Sequence, residues 1–394
     1  MKLYLYLRNF PPDGKSFNNR YAGLIKAVHG LASGLAAAGA EVTVLSEALP
    51  DAEAVTRSPA GYTIRSFAQP VQHRPTFKLS PGLRRFLHQQ VCPTDLVILN
   101  GILHPTIYSL SRVLRRQRVP YIVAPHDPYT PEFFRRSRHK KWPYWFLLEK
   151  PMLQQAAAVQ VLDKRHQQWL RGLGIATPVI ETPNGFHPED IDFEPAPWQP
   201  GNPVKLMFLG RFDAYNKGLD LLIDAVAQLS DTYPLQLTFQ GSTGDDRAAL
   251  EARVADLHQQ DRIQFLDPDY DSAPSQLIQH HDVFCVPSRF EGFSLAALEA
   301  MLAGRVLLVS EIAGVAPHIK ASDCGVVVQP TVESVKAGLE QLLQRRNEWP
   351  QMGDQARKYV LDQLCWQTIG ATALKQYQTL NTDLVCVLDS LITN

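Results

Sequence analysis

Paired cysteines, long apolar runs and the common nucleotide and hydrolase loops are all missing from this 394-residue chain. Its five cysteines (Cys92, Cys285, Cys324, Cys365, Cys386) include no Cys-x-x-Cys pair. That scatter speaks against a disulfide scaffold or a zinc site and suits a reducing compartment. No apolar run approaches the roughly 20 residues that a spanning helix needs. Arg8 interrupts the opening MKLYLYLRNF too early for a secretory core, so the expected location is cytoplasmic. No Gly-x-Gly-x-x-Gly follows the first strand pattern and no Walker loop is present, which removes nicotinamide and P-loop chemistry. A Gly-x-Ser-x-Gly elbow is absent as well. Charge of one sign is lacking overall, because 39 Lys and Arg balance 39 Asp and Glu. The balance hides an asymmetry: residues 1–200 carry 24 cations against 15 anions, and the remainder reverses that excess of nine. A basic first half suits a polyanionic or membrane-surface partner; an ordinary solvated surface is the alternative.

What is present is alternation. Apolar, β-branched runs recur at Lys2–Leu7, Glu41–Leu45, Tyr62–Phe67, Asp95–Leu99, Tyr121–Ala124, Ala158–Leu162 and Pro178–Glu181. A second series follows at Val204–Leu209, Leu235–Gln240, Ile263–Leu266, Val283–Val286, Val306–Val309 and Gly325–Val328. Amphipathic stretches separate them, for example Tyr21–Ala38, with Leu24, Val28, Leu31 and Leu35 on one face, and Lys217–Ser230. Near-continuous apolar strands with helical connections predict parallel sheets covered on both faces. The segment FHPEDIDFEPAPWQPGNP is rich in proline and acid, which places a linker near Pro188–Pro203. The expected fold class is therefore α/β, two doubly wound domains facing across a cleft. Ligands of such sheets sit beyond the carboxyl ends of the strands.

Two strings carry the chemistry. In PSRFEGFSLAALEAMLAG, a strand ends in a turn at Gly292 and a helix begins near Ser294. The unpaired N–H groups at a helix start form an anion site suited to a diphosphate. Glu291 lies before the helix and Glu299 inside it, so each carboxylate can take a different pair of vicinal hydroxyls. In LGRFDAYNKGLDLLIDA, Gly210 and Arg211 follow a strand, and Lys217-Gly218 reads as a helix opening. An Arg fork and a Lys point charge from one loop can neutralise a diphosphate without a metal.

With their flanking residues, these strings resemble retaining glycosyltransferase family 4, the glycosyl transferases group 1 of the GT-B fold. Weaker matches, AGLIKAVHGLASGLAAAGAEVTVLS, APHDPYTPEFFRRSRHKKW, TPNG and the CW at Trp366, extend the resemblance over nearly the whole chain. It implies an acceptor-side domain over 1–190 that regains a helix from about 366–394, and a donor domain over 204–365. It implies that Arg211 and Lys217 hold the diphosphate and stabilise the departing charge, that Glu291 meets donor-sugar hydroxyls, and that Glu299 meets the ribose. Gly210 and the backbone of Gly292, Phe293, Ser294 and Leu295 complete the donor site. His126 matches a histidine that contacts the donor sugar near its reacting carbon, and Ala22-Gly23 stands where a Gly-Gly loop approaches the diphosphate. No cofactor or metal is implied; the nucleotide-sugar is a co-substrate, UDP-linked first and GDP-linked second. The implied reaction moves a sugar, with retention, to a carbohydrate or lipid-linked acceptor in polysaccharide or glycolipid biosynthesis. A sugar-nucleotide epimerase of the same fold and a non-catalytic nucleotide-sugar-binding partner are the alternatives. Three features depart from the pattern: Ala22, Asp127 after His126, and the segment Ala313–His318, which lacks the glutamate of the usual Gly-Gly-x-x-Glu.

One stretch lies outside this scheme. FFRRSRHKKWPYWFLLEK interleaves Arg135, Arg136, Arg138, Lys140 and Lys141 with Trp142, Tyr144, Trp145 and Phe146. It reads either as a peripheral contact with an anionic membrane or anionic acceptor, or as a solvated turn leading into a buried aromatic helix. No RNA-binding module surrounds it, and nucleic acid is not an expected partner.

Overall fold

The computed structural model describes residues 1–13, 22–49, 53–69, 76–135, 137–187, 191, 196–198, 201–242 and 246–392, with side chains omitted at 22 and 381–392. The chain forms two compact units, Met1–Gly185 with Trp366–Asn394, and Phe186–Cys365.

The first unit is built on eight strands: β1 (Leu3–Tyr6), β2 (Val42–Leu49), β3 (Ala54–Arg57), β4 (Thr63–Ala68), β5 (Leu96–Asn100), β6 (Tyr121–Ala124), β7 (Ala158–Val161) and β8 (Val179–Glu181). Their order across the sheet is β3-β4-β2-β1-β5-β6-β7-β8. All pairings are parallel except β3 on β4, an edge hairpin that its short, largely exposed sequence AVTR concealed. The two-residue period sorts side chains between the faces. Leu3, Leu5, Val42, Val44, Leu96 and Ile98 enter one core, while Tyr4, Tyr6, Leu45, Val97 and Leu99 enter the other. The first core is closed by α1 (Ala22–Ala37) and by the helix Trp366–Ile392. Those helices touch backbone to backbone: a Cβ on Gly34 would lie 2.0 Å from the Trp366 carbonyl oxygen. The opposite core is covered by α2 (Pro81–Gln90), α3 (Pro105–Arg116) and the helical segments between Pro131 and Gln154.

The second unit holds six parallel strands, β9 (Val204–Leu209), β10 (Leu235–Gln240), β11 (Ile263–Leu266), β12 (Val283–Val286), β13 (Val306–Ser310) and β14 (Gly325–Val328). Their order is β11-β10-β9-β12-β13-β14. Leu219, Leu222, Ile223, Val226 and Leu229 are all buried on the helix after β9. Each such side chain contributes about 1.5–3 kcal/mol relative to leaving it exposed. Trp198, in the expected linker, packs on Trp349 at 5.7 Å and under the Arg305 guanidinium at 4.6 Å, both in this unit. No helix among the described residues is long and apolar enough to cross a membrane.

Candidate functional site

In the second unit the chain leaves β9 toward β10 on one side and later returns to β12 on the other. β9 and β12 are hydrogen-bonded neighbours, with Leu206 opposite Val283 and Met207 opposite Phe284. Loops that diverge from such a pair leave a crevice at the carboxyl edge, where open parallel sheets take their ligands. Both chemistry-bearing strings emerge here: Gly210–Lys217 follows β9, and Pro287–Ser294 follows β12.

The expected helix Lys217–Ser230 proves to be two pieces, Ala214–Lys217 and Leu219–Leu229, hinged at Gly218. Gly218 is left-handed (φ 65°), and a Cβ there would sit 2.2 Å from the Pro287 carbonyl oxygen of the other loop. Only glycine allows both the dihedral and that approach. Hydrogen bonds from three residues also join this segment to the other loop. The Phe290 N–H donates to Asn216 O (3.0 Å), and Arg289 donates to Tyr215 O (3.0 Å) while forking onto Asp220 at 2.7 and 2.8 Å. Lys217 Nζ donates to Glu291 Oε2 at 2.7 Å.

That last pair is the heart of the site. An ammonium has three donors and one is spent on Glu291, which leaves others for a phosphate. Glu291 is held by one oxygen, so the other can meet hydroxyls. Arg211 is half exposed and makes a single 3.2 Å contact with Asp213, which leaves most of its fork open. Asp213 itself caps the short helix by accepting from the Asn216 N–H at 3.1 Å. Beyond Glu291, the Ser294 hydroxyl accepts from the Ala297 N–H at 3.2 Å and starts the helix Leu295–Leu302. Phe293 is buried, edge-on to His318 at 5.8 Å, so only its backbone faces outward. The Gly314 N–H donates to Gly292 O at 3.1 Å. The Ala313–His318 segment therefore braces the turn, through the Gly314 amide and the His318 ring, without the glutamate of the family pattern. Glu299 is half-buried in the second turn of its helix.

The first unit brings a different set together at its own carboxyl edge. His126 follows β6 in a left-handed conformation (φ 65°), and its Nε2 lies 2.8 Å from Asn100 Oδ1 at the end of β5. The Asn100 amide donates to Tyr6 O and Ile98 O at 3.2 and 3.4 Å, which fixes its oxygen toward the ring. Nε2 must then carry the proton and Nδ1 the lone pair. Burial pushes the ring's pKa down to about 4, so it stays neutral at ordinary pH. Nearby, buried Arg8 approaches His104 Nε2 at 3.5 Å; burial, then that cation, lowers His104 to about 4. Gly23 lies exposed in the first turn of α1, as the Tyr21–Ala38 pattern predicts, so the loop that the resemblance implies at Ala22-Gly23 is here the start of a helix.

Sequence reasoning missed Asn100, Glu149, Arg289 and Asp220. Arg289 lies inside PSRFEGF and was visible there; Glu149 carried no signal. It is buried, yet its Oε1 accepts from the Tyr129 hydroxyl (2.6 Å) and the Leu103 N–H (3.2 Å). One carboxylate thus ties the loop after β5 to the loop after β6. Burial raises it to about 7, against the lowering effect of those two donors.

The basic aromatic segment is only partly open. Trp145 is fully buried, Trp142 stacks on Phe134 (4.4 Å) and Phe146 (5.5 Å), and Lys141 turns inward, donating to Phe133 O and lying 4.0 Å from that ring's centroid. Lys141 is therefore partly engaged within the unit, by a carbonyl and a π face, rather than fully presented to a surface partner. Arg135 sits 3.5 Å from Glu132. Arg138 and Lys140 are exposed, as are Phe146 (58%) and Leu147 (71%). Arg136 lies outside the described residues.

Two family models match the chain, "Glycosyl transferases group 1" over residues 190–359 and "Glycosyl transferase 4-like domain" over 22–185. A phosphatidyl-myo-inositol mannosyltransferase of Mycobacterium tuberculosis is 27% identical over 237 residues, 56% of this chain and 58% of that protein. The aligned parts are 44, 70, 42 and 58% of the first four curated relatives, so the chain spans about half the length of most of them. Sucrose-phosphate synthase from Thermosynechococcus elongatus superimposes with a TM-score of 0.76 at 21% identity, over 97% of this chain and 99% of that one. Anabaena Alr3699/HepE, solved in complex with UDP, gives 0.68 at 15% identity, over 96% and 100%. These likenesses show the GT-B fold. With both halves matched in order and the two parallel-sheet units in place, the chain belongs to the group 1 glycosyltransferases, family 4.

Proposed function

We propose that the chain transfers a sugar from a nucleoside-diphosphate sugar, UDP-linked first and GDP-linked second, to a carbohydrate or lipid-linked acceptor, with retention and without a metal. The observation that carries this reading is the Lys217–Glu291 pair at the switch point, locked by Gly218 and Arg289, with Arg211 open beside it. Arg211 and Lys217 take the charge that develops as the anomeric carbon–oxygen bond to the diphosphate breaks. Fixed cations do this with little reorganisation, and one such donor is worth roughly 10²–10³ in rate. Glu291 and the backbone of Gly292–Leu295 orient the sugar, Glu299 takes the ribose, and His126 meets the sugar near its reacting carbon. The acceptor oxygen bonds to that carbon on the face the diphosphate leaves, and the departing phosphate oxygen takes the acceptor's proton.

The relative that acts on phosphatidyl-myo-inositol supports the lipid-linked option, and exposed Arg138, Lys140, Phe146 and Leu147 support contact with an anionic membrane. The four described cysteines are all free, which agrees with a cytoplasmic location.

Thermal shift against a panel of nucleotide-sugars identifies the donor, because bound ligand raises stability by mass action. Proton NMR of the product then reads the anomeric configuration, with and without EDTA. Retained configuration in chelator supports the reading. Inversion, or loss in EDTA restored by magnesium, would overturn its mechanism, and epimerised donor without acceptor would replace it.

A further inference from the structure

The first unit carries a second charged surface that neither string predicts. Residues 76–118 contain seven cations, Lys78, Arg84, Arg85, Arg112, Arg115, Arg116 and Arg118, and a single acid, Asp95. Asp95 is buried and spends its oxygens on the Lys2 N–H (3.0 Å) and the Cys92 N–H (2.9 Å), so it neutralises none of them. Among the described residues, none of the seven has a carboxylate partner. The helical period explains their grouping. Leu83, Phe86 and Leu87 bury one face of α2, and Ile107, Leu110, Val113 and Leu114 bury one face of α3, which leaves the arginines outward.

Between α2 and α3 runs a groove of about 470 Å³. Lys78, Arg84, Arg112 and Arg116 form its walls, over apolar Leu79 and Val113. Phe77 stands at its lip, 55% exposed and edge-on to Tyr108 at 6.4 Å. The groove is preformed at both ends. Ser80, the cap of α2, donates its N–H to buried Glu47 at 2.6 Å, and the Gln117 amide after α3 pairs with His88 Nδ1 of α2 at 2.7 Å.

We infer that this groove docks on the anionic surface of a lipid bilayer, its arginines on headgroup phosphates and Phe77 in the acyl boundary. Guanidinium forks suit phosphate diesters, and cations with no carboxylate partner break no ion pair on binding; Arg112 also approaches a ring, Tyr108 at 5.9 Å. A soluble polyanion would use the arginines but not the apolar floor or the exposed ring; a membrane uses all three. The inference rests on the lipid-linked reading of the acceptor, yet it is tested without turnover.

The test is co-sedimentation of the full chain with phosphatidylcholine vesicles, with and without phosphatidylglycerol, at low and high salt. Binding is expected only to the anionic vesicles and only at low salt. Each cation near such a surface changes the free energy by about 1 kcal/mol, so R112E/R116E should weaken partition at least roughly 30-fold. Phe77→Ser should cost several-fold, and R138E/K140E less than R112E/R116E. R112Q/R116Q repeats the test with a milder change, and unaltered melting confirms its fold. Equal vesicle binding by these variants overturns the inference. So does displacement by inorganic polyphosphate with no effect of Phe77→Ser, which would make the groove a polyanion site. Donor affinity, measured on the same samples by thermal shift, reports separately on the transferase reading.

Discussion

The two units hold loops at the carboxyl edge of a parallel sheet by opposite means. In the second unit the loops are held by charge: Lys217 on Glu291 at 2.7 Å, Arg289 on Asp220 at 2.7 Å, Arg211 on Asp213 at 3.2 Å. In the first they are held by groups without a counter-charge: half-buried His126 on Asn100, and buried Glu149, raised to about 7, on Tyr129 and Leu103. The half-exposed Arg211–Asp213 pair stabilises little, on the order of 0–1 kcal/mol, and the two partly buried pairs offset desolvation with their attraction, so the charged lattice is better understood as positioning than as stability. It keeps cations aimed where the proposed diphosphate would displace or share their partners. The first unit's uncompensated cations lie apart from that unit's lattice, on and beside α2 and α3.

The largest test of that contrast is Lys217→Ala or Arg211→Ala. Each should lower turnover by about 10²–10³-fold, the cost of losing one donor to developing charge. Melting should barely move for Arg211→Ala, whose pair is half exposed, and should fall more for Lys217→Ala, which leaves the mostly buried Glu291 without its cation. A rate change below threefold at either position would mean that the diphosphate is held elsewhere. Next comes Gly218→Ala, which forces an L-residue into φ 65° with its Cβ at 2.2 Å from Pro287 O. Left-handed strain and overpacking together predict a loss of about 2–4 kcal/mol, read by urea unfolding. Wild-type stability in that variant would show that the two loops are not locked together.

The sequence exposed the second unit better than the first, for a physical reason. A site built from backbone turns and fixed cations repeats its spacing, so Gly210, Arg211, Lys217 and Glu291–Ser294 stand out in one chain, and the structure gathers them at one switch point. The alternation of apolar runs likewise announced both sheets. The break at Gly218 was hidden because its cause, the Pro287 carbonyl, is about 70 residues away. Glu149 was hidden because a glutamate after FLL reads as the polar end of an aromatic helix, and only tertiary burial makes it unusual. The groove between α2 and α3 was equally out of reach. The +9 excess was plain, but which cations lacked carboxylates depends on where Asp95 is buried.

The first unit's lattice predicts a pH response of its own. Glu149 keeps, in the folded state, a proton that an ordinary carboxyl loses near 4.5. Its contribution is therefore favourable at low pH and is lost as pH rises from about 4.5 to about 7. Glu149→Gln, which stays neutral and can still accept from Tyr129 and Leu103, should leave melting unchanged at pH 5. At pH 8 it should stabilise the chain by about 1–3 kcal/mol. His104 and His126 act in the other direction. Held near 4, they destabilise the fold as pH falls below 6.5 and the unfolded chain takes up protons first. Melting curves of wild type and Glu149→Gln that stay parallel from pH 5 to 8 would show that Glu149 ionises normally.

The smallest expected effect isolates one hydrogen bond. Asn100 Oδ1 fixes the proton of His126 on Nε2 and leaves Nδ1 as an acceptor. Asn100→Asp would hold a charge beside the ring and raise its pKa, while Asn100→Ala frees the tautomer. A neutral hydrogen bond of this kind is worth about 0.5–1.5 kcal/mol. Asn100→Ala should accordingly cost roughly three- to tenfold in kcat, with donor affinity little changed because the proposed diphosphate grip belongs to the second unit. Asn100→Asp should instead add an acidic limb to the rate profile, as His126 becomes protonated nearer neutrality. If both variants matched wild type in kcat and pH profile, His126 would be a structural residue of β6's end. The chemistry would then lie with the charged lattice alone.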